Sequence, residues 1–554
     1  MTTEEELLGK LEDSTREATR LQVEALESII ERHGGVPYLH RHLRNYDAPI
    51  DVATFRRVVP LSTYEDYSDD INRLADGPPD QDQPLLSVDP LVCFFYSSGT
   101  SSLKPKLIPL FDSSLSKAAT YIAQQTTSAI LRRLFPPRTS VNNKVIPFLY
   151  ADKLLPSSSP MEVILGSNVE HQMYCHLLCG LRNSEFIDAI LALYATGLIS
   201  AFSVLESKWN QLCDDLENGF LCEAISDAAM RSSVAEVLGG PQVDLSMKAR
   251  SICQDKNWNG IVRKLWPNVR YVKCVTTGSM RQYYPKLKQY LGETPLLGGD
   301  YFASECCVGI NLDITQPLES TRYVLLPTAA YFEFLPFDPD QIDDVSKETV
   351  DISGVEVGKM YEVVVTTFSG LYRYRMGDIV RVVGFHNSSP LVEYVMRAPK
   401  LLTDIITERD LIFAIGKCQP LMRNETEIEI VEFASFLDSI STPKRLKVLV
   451  EVREEHMFVK EKLQESILVL RRICSVLEDN LGSLYRAKRD KGEVGSLLIT
   501  IVKPGSFDKL SRVAFENGAS ASQYKPQKIL RKHEFVSFLE RSALVSVCLD
   551  PIDN

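Results

Sequence analysis

Fully apolar runs alternate along this chain with segments whose apolar residues recur every three or four positions. The run Leu91–Tyr96 predicts a buried strand, and Tyr331–Pro336 and Tyr361–Thr367 have the composition of further strands. Residues 3–33 predict one long amphipathic helix that ends at the Gly34-Gly35 pair, and a second helix is predicted from about Ser113 to Leu134. Because strands and helices are interleaved throughout, the pattern predicts an α/β fold with mixed β-sheets and flanking helices.

The pattern changes twice in the second half of the chain. The block from Glu170 to about Leu238 is predicted to be mostly helical, with the nearly apolar stretch Phe186–Leu205 buried. Beyond residue 402, the strand candidates Lys447–Arg453 and Ser496–Val502 flank a charged helix at about 457–480, which is typical of a small α+β unit. We therefore expect a large N-terminal domain over residues 1–402 and a small, mobile C-terminal domain over residues 403–554.

Composition excludes several classes of protein. The 554 residues are 44% hydrophobic and 24% charged, as in globular proteins, and they are too many for one ordinary core. A net charge of −12 argues against nucleic acid or an anionic membrane as the main partner. The chain lacks a run of 18 apolar residues, its start is acidic, and its twelve cysteines follow no framework spacing. We expect a cytoplasmic protein.

A polar turn follows the first predicted strand directly. The turn Ser97-Ser-Gly-Thr-Ser-Ser-Leu-Lys-Pro-Lys106 combines hydroxyls, one glycine and two lysines. Hydroxyl and backbone N–H donors on a tight turn can wrap phosphate oxygens, and lysines supply the opposing charge. The glycine spacing differs from that of the P-loop NTPases. Taken alone, the turn is equally compatible with an ordinary polar surface loop.

Two further motifs carry candidate nucleotide chemistry. In Gly298–Glu305, Tyr301 offers an aromatic face for a base and Glu305 offers hard oxygens for Mg²⁺. In Gly370–Val380, Asp378 can accept both hydroxyls of a ribose, while Arg373 or Arg375 could face a carboxylate or phosphate. The alternatives are a buried tyrosine with a capping glutamate, and an exposed hairpin with a salt bridge.

A third cluster is a candidate metal site. His171, Cys175 and Cys179 fall on one helical face, where they could ligate zinc if a fourth ligand came from elsewhere. The surrounding leucines favour the alternative, because buried thiols are common core residues.

Together and in this order, the three polar motifs resemble the nucleotide-binding signatures of the adenylate-forming superfamily, which includes firefly luciferase and the acyl-CoA synthetases. In detail the chain resembles the plant acyl-acid amido synthetases, which conjugate auxin, jasmonate or benzoates to amino acids. The similarity extends to Tyr174–Leu181, Tyr331–Phe334 and Gly518–Lys525, so it covers nearly the whole chain.

The resemblance implies a two-step reaction. The carboxylate of a small acid attacks the α-phosphorus of ATP with Mg²⁺, giving an acyl-adenylate and pyrophosphate, and the amine of an amino acid then displaces AMP. By matching position, Lys525 and Glu305 would be catalytic, with Glu305 also holding Mg²⁺ and Lys525 carried over the site by the C-terminal domain. ATP binding would involve Ser97, Ser98, Thr100, Ser101, Lys106, Tyr301 stacked on adenine, Ser304, and Asp378 on the ribose. Thr120, Gln124 and Thr277 are candidates for the acyl or amino-acid pocket, and a monomer is expected.

Several positions depart from the pattern of that family. Leu103 and Ser522 stand where glycine is usual, Phe302 replaces a small residue, and Ile405 stands where a lysine is usual. The passage from Lys144 to Val169, which helps to wall off the acid, is shorter. Two alternatives therefore stay open: a relative that binds nucleotide or hormone without catalysis, and a ligase that uses a thiol acceptor such as coenzyme A. Jasmonate-type acids are slightly preferred as the substrate, because helix 113–134 lacks an arginine matching the one that would favour a benzoate.

Overall fold

The computed structural model of the chain describes residues 4–77, 84–97, 106–136, 138, 143–148, 156–338, 348–399, 405–426, 428–453, 463–516 and 524–549. The described residues form four sheets: a two-stranded hairpin, a four-stranded parallel sheet, a seven-stranded sheet and a four-stranded sheet in the C-terminal part.

The chain opens with helices that pack against a later sheet. They are α1 (Glu4–Arg16), α2 (Ala18–His33), α3 (Pro37–Leu43), α4 (Val52–Val58) and α5 (Ser68–Asp76). The single helix expected over 3–33 is wrong in one respect, because it is interrupted at Glu17, with φ −104° and ψ 25°. A residue far along the chain stabilises the interruption: the Ser388 hydroxyl shares its proton between the carbonyls of Thr15 and Arg16, at 2.8 and 2.7 Å.

A hairpin and a long helix follow. The hairpin consists of the antiparallel strands β1 (Leu91–Ser97) and β2 (Lys106–Phe111), which pair from Leu91 with Phe111 to Ser97 with Lys106. The helix α6 (Ser114–Leu134) begins where the Ser113 hydroxyl accepts a hydrogen bond from the Ser116 amide at 3.3 Å. The strand at Leu91–Tyr96 and the helix to Leu134 form where the sequence predicts them. The expectation that this strand is buried is wrong, because Val92, Phe95 and Tyr96 in the two-stranded hairpin are 56%, 39% and 48% exposed.

The next group is a four-stranded parallel sheet covered by helices. Its strands, in spatial order, are β3 (Lys144–Phe148), β4 (Ile187–Tyr194), β5 (Tyr271–Val275) and β6 (Leu296–Gly298). Its helices are α7 (Met161–Ile164), α8 (Val169–Arg182), α9 (Ala195–Asn218), α10 (Ala228–Leu238), α11 (Val243–Cys253), α12 (Ile261–Leu265) and α13 (Tyr284–Leu291).

Strand β4 corrects the expectation of mostly helical structure over 170–238. A continuous apolar run has no periodicity that separates a buried strand from a buried helix. Its pairing with β3 and β5 on both sides decides that Ile187–Tyr194 is the central strand of this sheet.

A seven-stranded sheet follows, in the spatial order β10-β11-β12-β13-β9-β8-β7. Its strands are β7 (Tyr301–Phe302), β8 (Cys307–Ile310), β9 (Tyr323–Leu325), β10 (Tyr331–Phe337), β11 (Met360–Thr366), β12 (Tyr374–His386) and β13 (Ser389–Arg397). The paired strands are antiparallel, and the apolar face shares one core with α1 to α5. The chain enters this sheet immediately after β6, so the two sheets meet at residues 298–301.

The C-terminal part has a sheet and cores of its own. Its elements are α14 (Glu408–Thr426), β14 (Ile430–Asp438), β15 (Arg445–Val452), α15 (Leu463–Asn480), α16 (Ser483–Asp490), β16 (Leu498–Val502), α17 (Ser506–Glu516), α18 (His533–Glu540) and β17 (Ala543–Cys548). The strands are ordered β14-β15-β16-β17, and two buried clusters are formed within residues 405–547. The expected α/β class is confirmed. Within the described ranges, every helix is too short or too polar to cross a bilayer.

Candidate active site

The candidate residues gather at the carboxyl edge of the parallel sheet. Strands β4, β5 and β6 run in the same direction, so Tyr194, Val275 and Gly298 end at one edge. The polar turn Thr276-Thr277 follows β5 there, and the motif Gly298–Glu305 follows β6. Ligands in α/β folds bind at this edge, because strand ends and loop backbones are available there.

Tyr301 and Asp378 form the centre of the site. The Tyr301 hydroxyl donates to Asp378 Oδ2 at 2.7 Å, and the two residues are only 8% and 5% exposed. The Tyr301 ring lies 5.4 Å from the Tyr323 ring and 5.9 Å from the Tyr394 ring. Burial, together with the Asp378 charge, raises the pKa of Tyr301 well above its ordinary value, so its hydroxyl stays protonated and donates. The second and third motifs are therefore joined by a direct hydrogen bond.

Arg397 completes this centre, and the sequence analysis missed it. Asp378 on β12 pairs in register with Arg397 on β13, and Arg397 Nη1 lies 3.0 Å from Asp378 Oδ1. The Asp378 charge raises the pKa of Arg397 further, so the guanidinium remains charged. Arg397 lies outside all three motifs, and the only signal that could have found it is the register of the β12–β13 hairpin.

Asp378 Oδ1 is buried, and its neighbour among the described residues is a charged group that is not aligned for a hydrogen bond. Arg397 Nη1 is ion-paired with it at 3.0 Å, but the geometry is not that of a hydrogen bond. The Arg397 Nη1 donates instead to the Met376 carbonyl, at 2.8 Å. A buried acceptor is costly when unsatisfied, so this oxygen suits a ligand that carries a hydroxyl. This is the feature of the structure that a ribose fits.

Glu305 and Lys106 lie beside this centre. Glu305 is half-buried in the turn from Ala303 to Cys306, where the Ala303 amide donates to the Cys306 carbonyl at 3.0 Å. Burial raises the pKa of Glu305, and the positive charges of Arg397 and Lys106 partly offset the effect. Burial lowers the pKa of Lys106, whose ammonium lies 4.6 Å from the Tyr64 ring centroid, while attraction from Glu65 and Glu305 opposes the shift.

The remaining residues of the nucleotide motifs have different exposures. Ser304 is half-buried in the same turn as Glu305, and Phe302 is 40% exposed at the start of the β7–β8 hairpin. Ser97 ends β1 opposite Lys106. Ser98, Thr100, Ser101 and the departure Leu103 fall outside the described residues, as does Ser522.

Lys525 reaches the same sheet edge from the C-terminal part. Its ammonium lies 4.3 Å from the centroid of the Tyr194 ring, at the carboxyl end of β4. The adjacent Tyr524 carbonyl accepts a hydrogen bond from the Thr196 hydroxyl at 3.5 Å. Thr277 follows the neighbouring strand β5, and its hydroxyl lies 3.2 Å from the Tyr323 hydroxyl. The fold thus brings Lys525 and Thr277 to one edge from positions far apart in the sequence.

Helix α6 faces the site with different residues from those expected. Gln124 is exposed and Thr120 is half-buried, whereas Thr127 is buried and donates to Asp300 Oδ2 at 2.9 Å. Asp300 directly precedes Tyr301, so Thr127 tethers the helix to the second motif. Sequence reasoning missed Thr127, which is one helical turn beyond Gln124 and carries no signal of its own.

The two arginines of the third motif are occupied within the fold. Arg373 is buried and donates to both oxygens of Glu333, at 2.9 and 2.8 Å. Arg375 donates to Glu362 Oε2 at 2.6 Å. The expectation that one of them faces a phosphate or carboxylate ligand is wrong, because each guanidinium already has a carboxylate partner in the sheet.

The candidate zinc cluster belongs to the core. Cys175 and Cys179 are fully buried, and burial raises the pKa of both thiols, which disfavours the thiolate that zinc requires. The described ranges hold no group of three or more potential metal-ligating side chains. His171, Cys175 and Cys179 therefore serve packing, the alternative that the apolar neighbours favoured.

The arrangement of the sheets, with the candidate site at their junction, is a fold that is also found in a ligase of known structure. The solved structure of 2-hydroxyisobutyryl-CoA ligase matches with a TM-score of 0.51 over 95% of this chain and 90% of that chain, at 12% identity. At this identity, the match shows that the two proteins share a fold and shows nothing about function.

Comparison with models of protein families gives a more specific result than the comparison of folds. The model of the GH3 family N-terminal domain matches residues 7–157 and 154–296, that of the GH3 central domain matches 323–397, and that of the GH3 C-terminal domain matches 409–534. This chain belongs to the GH3 family. The solved structure of GH3.15 acyl acid amido synthetase agrees, with a TM-score of 0.87 and 29% identity over 100% of this chain and 99% of that one.

Relatives within the family act on different acids. A probable indole-3-acetic acid-amido synthetase, GH3.6 of Oryza sativa subsp. japonica, is 48% identical over 67% of this chain and 77% of its own length. The 4-substituted benzoates-glutamate ligase GH3.12 of Arabidopsis thaliana is 32% identical over 96% of each chain. Jasmonoyl-L-amino acid synthetase JAR4 of Nicotiana attenuata is 32% identical over 94% and 92%. The resemblance seen in the sequence is confirmed, and with it the class of acid–amino-acid ligases.

Proposed function

We propose that this chain joins an acyl-acid plant hormone to an amino acid through an acyl-adenylate, at the expense of ATP. The observation that carries the proposal is the full-length match to amido synthetases, which includes the C-terminal part that bears Lys525. The acid's carboxylate attacks the α-phosphorus of ATP and expels pyrophosphate. The amine of the amino acid then attacks the activated carbonyl and expels AMP.

The nucleotide would bind around Asp378. Its unsatisfied Oδ1 would accept from a ribose hydroxyl, while Oδ2 is held by the Tyr301 hydroxyl. Tyr301 would present its ring edge or face to the adenine, and Arg397 would stay paired with Asp378 beside the phosphates. Ser97, Ser98, Thr100, Ser101 and Ser304 would surround the phosphate oxygens, with Lys106 supplying positive charge from the end of the first motif.

Glu305 fits a magnesium ion. Its carboxylate is half-buried, and its burial disfavours the charged form unless a cation is close. Mg²⁺ usually keeps only one or two protein carboxylates and takes its other ligands from water and phosphate, so a single glutamate suffices. The ion would neutralise phosphate charge during adenylation.

Lys525 would act from the C-terminal part. Its position at the β4 edge supports a role in offsetting the charge that develops on the phosphates. We place the boundary between the two domains near residue 402, a division that is supported by the separate C-terminal cores and by the match of the GH3 C-terminal domain to 409–534. Movement of residues 403–554 about this boundary would admit substrates and release products.

The acid and the amino acid remain to be identified by experiment. Relatives use indole-3-acetate, jasmonate or benzoates, and a jasmonate-type acid stays our slight preference. Thr277 would line the pocket from the sheet edge, a role supported by its position after β5, whereas Thr120 and Gln124 on α6 have weaker support. We expect a cytoplasmic monomer.

The decisive experiment measures pyrophosphate release from Mg-ATP with a panel of jasmonates, auxins and benzoates, with and without amino acids. Release that depends on one acid, together with an amide product, would establish the activity and name the substrate. Folded protein that binds ATP yet releases no pyrophosphate with any acid would refute the proposal. Replacing amino acids by coenzyme A in the same assay separates the amido synthetase from a thiol ligase.

One observation favours a second candidate, a relative that binds nucleotide or hormone without catalysis. Ile405 stands where the family usually has a lysine, and it is 5% exposed within the C-terminal hydrophobic core. A lysine at this position could not serve the site without leaving that core. If ATP binds without turnover, substituting Ile405→Lys tests whether this position is responsible.

A further inference from the structure

A buried carboxylate links the C-terminal part to the rest of the chain. Glu432 lies near the start of β14 and is 7% exposed. Its Oε2 accepts a hydrogen bond from the hydroxyl of Tyr283, which ends the turn between β5 and α13, and its Oε1 accepts one from the ammonium of Lys528. The two partners belong to different parts of the chain, so Glu432 joins Lys528 to the sheet whose edge carries the candidate site.

Both the side chain and the backbone of Lys528 are fixed by contacts with β14. Its side chain is fully buried, with the ammonium 4.4 Å from the centroid of the Phe433 ring. Its backbone carbonyl accepts from the Ser435 amide at 2.7 Å and from the Ser435 hydroxyl at 3.2 Å. The Leu530 amide donates to the Ser435 carbonyl at 2.7 Å, so the segment adds a short parallel bridge to the edge strand β14.

This anchor lies three residues after Lys525. An extended chain spans about 3.3–3.6 Å per residue, so the Lys525 Cα is within about 11 Å of the Lys528 Cα. Whatever fixes Lys528 therefore restricts where Lys525 can reach. The charges within the anchor compensate each other, and removal of one partner would leave the other buried and unpaired.

We propose that Tyr283, Glu432 and Lys528 are positioning residues that hold Lys525 at the active-site edge. The inference rests on the role proposed above for Lys525. The Glu432–Lys528 pair lies wholly within residues 428–530, so it travels intact if the C-terminal part moves away. Of the two hydrogen bonds to Glu432, the one from Tyr283 has to break in that movement, together with the contacts of Lys525 with Tyr194 and of Tyr524 with Thr196. The Tyr283 hydroxyl therefore adds to the contacts that favour the arrangement with Lys525 at the site.

The two half-reactions would depend on this hydroxyl differently. Adenylation needs Lys525 near the triphosphate while charge builds on it, whereas transfer of the acyl group to an amine follows after pyrophosphate has left and only the α-phosphate remains. Loss of the Tyr283 hydroxyl should slow acid-dependent pyrophosphate release and leave amide formation from a supplied acyl-adenylate unchanged. A hydrogen bond to a charged group is strong enough for a shift of about 10- to 100-fold in the underlying equilibrium.

The test is the variant Tyr283→Phe, which keeps the ring beside Lys528 and removes only the donor. We expect hydrogen–deuterium exchange of the peptide containing Tyr524–Leu530 to rise by about tenfold or more, and kcat for pyrophosphate release to fall while the KM for the acid stays close to wild type. The control is Tyr284→Phe at the adjacent, half-buried tyrosine, whose hydroxyl has no place in this cluster. It should change neither quantity.

The outcomes separate this inference from the proposed function. If wild-type protein releases no pyrophosphate, the proposed activity fails, but the exchange measurement still decides whether Tyr283 holds the Lys525 segment. If wild type is active and Tyr283→Phe changes neither exchange nor kcat, the positioning role is refuted and the activity stands. A second variant, Lys528→Met, should raise the same exchange with Lys525 intact, and unchanged exchange in a folded Lys528→Met protein would also overturn the inference.

Discussion

Substitution of Asp378 by asparagine tests the nucleotide site most directly. The change keeps the size of the side chain and removes one negative charge from a residue that is 5% exposed. Tyr301 can still donate to the amide oxygen, so the packing of the second and third motifs is retained. What is lost is the charged acceptor facing the ligand and the partner of Arg397.

The expected magnitudes differ for folding and for binding. A broken, fully buried ion pair costs about 3–5 kcal/mol, but the Arg397 side chain is 35% exposed, so the expected loss of stability is only about 1–2 kcal/mol. Hydrogen bonds from ribose hydroxyls to a carboxylate contribute about 1.5–3 kcal/mol each, so the Kd for ATP should rise by roughly 100-fold.

The expected change in the Kd for ATP can be measured as a change in how much ATP stabilises the protein against unfolding. At an ATP concentration of about 100 times the wild-type Kd, ATP should stabilise the wild type by about 2.7 kcal/mol and Asp378→Asn by about 0.4 kcal/mol. Denaturant unfolding with and without Mg-ATP, together with calorimetric titration, gives both quantities. Asp313→Asn, at an exposed carboxylate after β8, is the control and should bind as wild type. An Asp378→Asn protein that retains wild-type affinity would refute the assignment of Asp378 to the ribose.

Three further predictions concern the stability of the folded protein. Glu333→Gln should cost about 3–5 kcal/mol of unfolding free energy in denaturant titrations, because it leaves the buried Arg373 guanidinium without its carboxylate. Gly370→Ala should cost roughly 3 kcal/mol in the same assay, because φ is +87° and a Cβ would lie 2.5 Å from the Leu86 carbonyl oxygen. Burial lowers the pKa of His176 from its ordinary 6.5 to about 3, so the unfolded state takes up a proton that the native state refuses. Stability is therefore fully present above pH 6.5 and falls as pH drops toward 3, by about 2.7 kcal/mol at pH 4.5, and His176→Asn should flatten that dependence.

Each of these predictions has a control within the chain. Glu362→Gln removes a carboxylate whose partner Arg375 is 36% exposed, so it should cost about 1 kcal/mol, and an equal loss for both glutamates would contradict the burial argument. Gly358→Ala at φ +90° meets no neighbouring atom within 4 Å and should cost about 1 kcal/mol. If His176→Asn loses as much stability as wild type between pH 7 and 4.5, another group carries the acid sensitivity.

Part of the candidate site could be predicted from the sequence, because its motifs are local. Tyr301 and Asp378 were picked out as candidates in two separate motifs, and the structure joins them through a hydrogen bond. Arg397 was not visible, because it depends on the pairing of β12 with β13 and not on any neighbouring residue. For the same reason, Arg373 and Arg375 looked like ligand groups although each is paired within the sheet.

The local pattern of apolar residues predicted some secondary-structure elements correctly and could not predict others. Helix α6 and strand β1 were predicted because their apolar spacing or their turn signals distinguish one structure from another. Strand β4 was not, because a wholly apolar run fits a buried strand and a buried helix equally well until its neighbours on both sides pair with it.

The sequence by itself determined the α/β class, through the periodicity of its apolar residues, and the motif residues, whose identity and order carry the family resemblance. Only the tertiary structure decided which charged side chains meet at the sheet edge and which are neutralised inside the fold. It also placed Lys525 at Tyr194 and Glu432 between Tyr283 and Lys528. These contacts join residues that are far apart in sequence, and they form only after each sheet has folded around its own buried core and the C-terminal part has packed against the sheet edge.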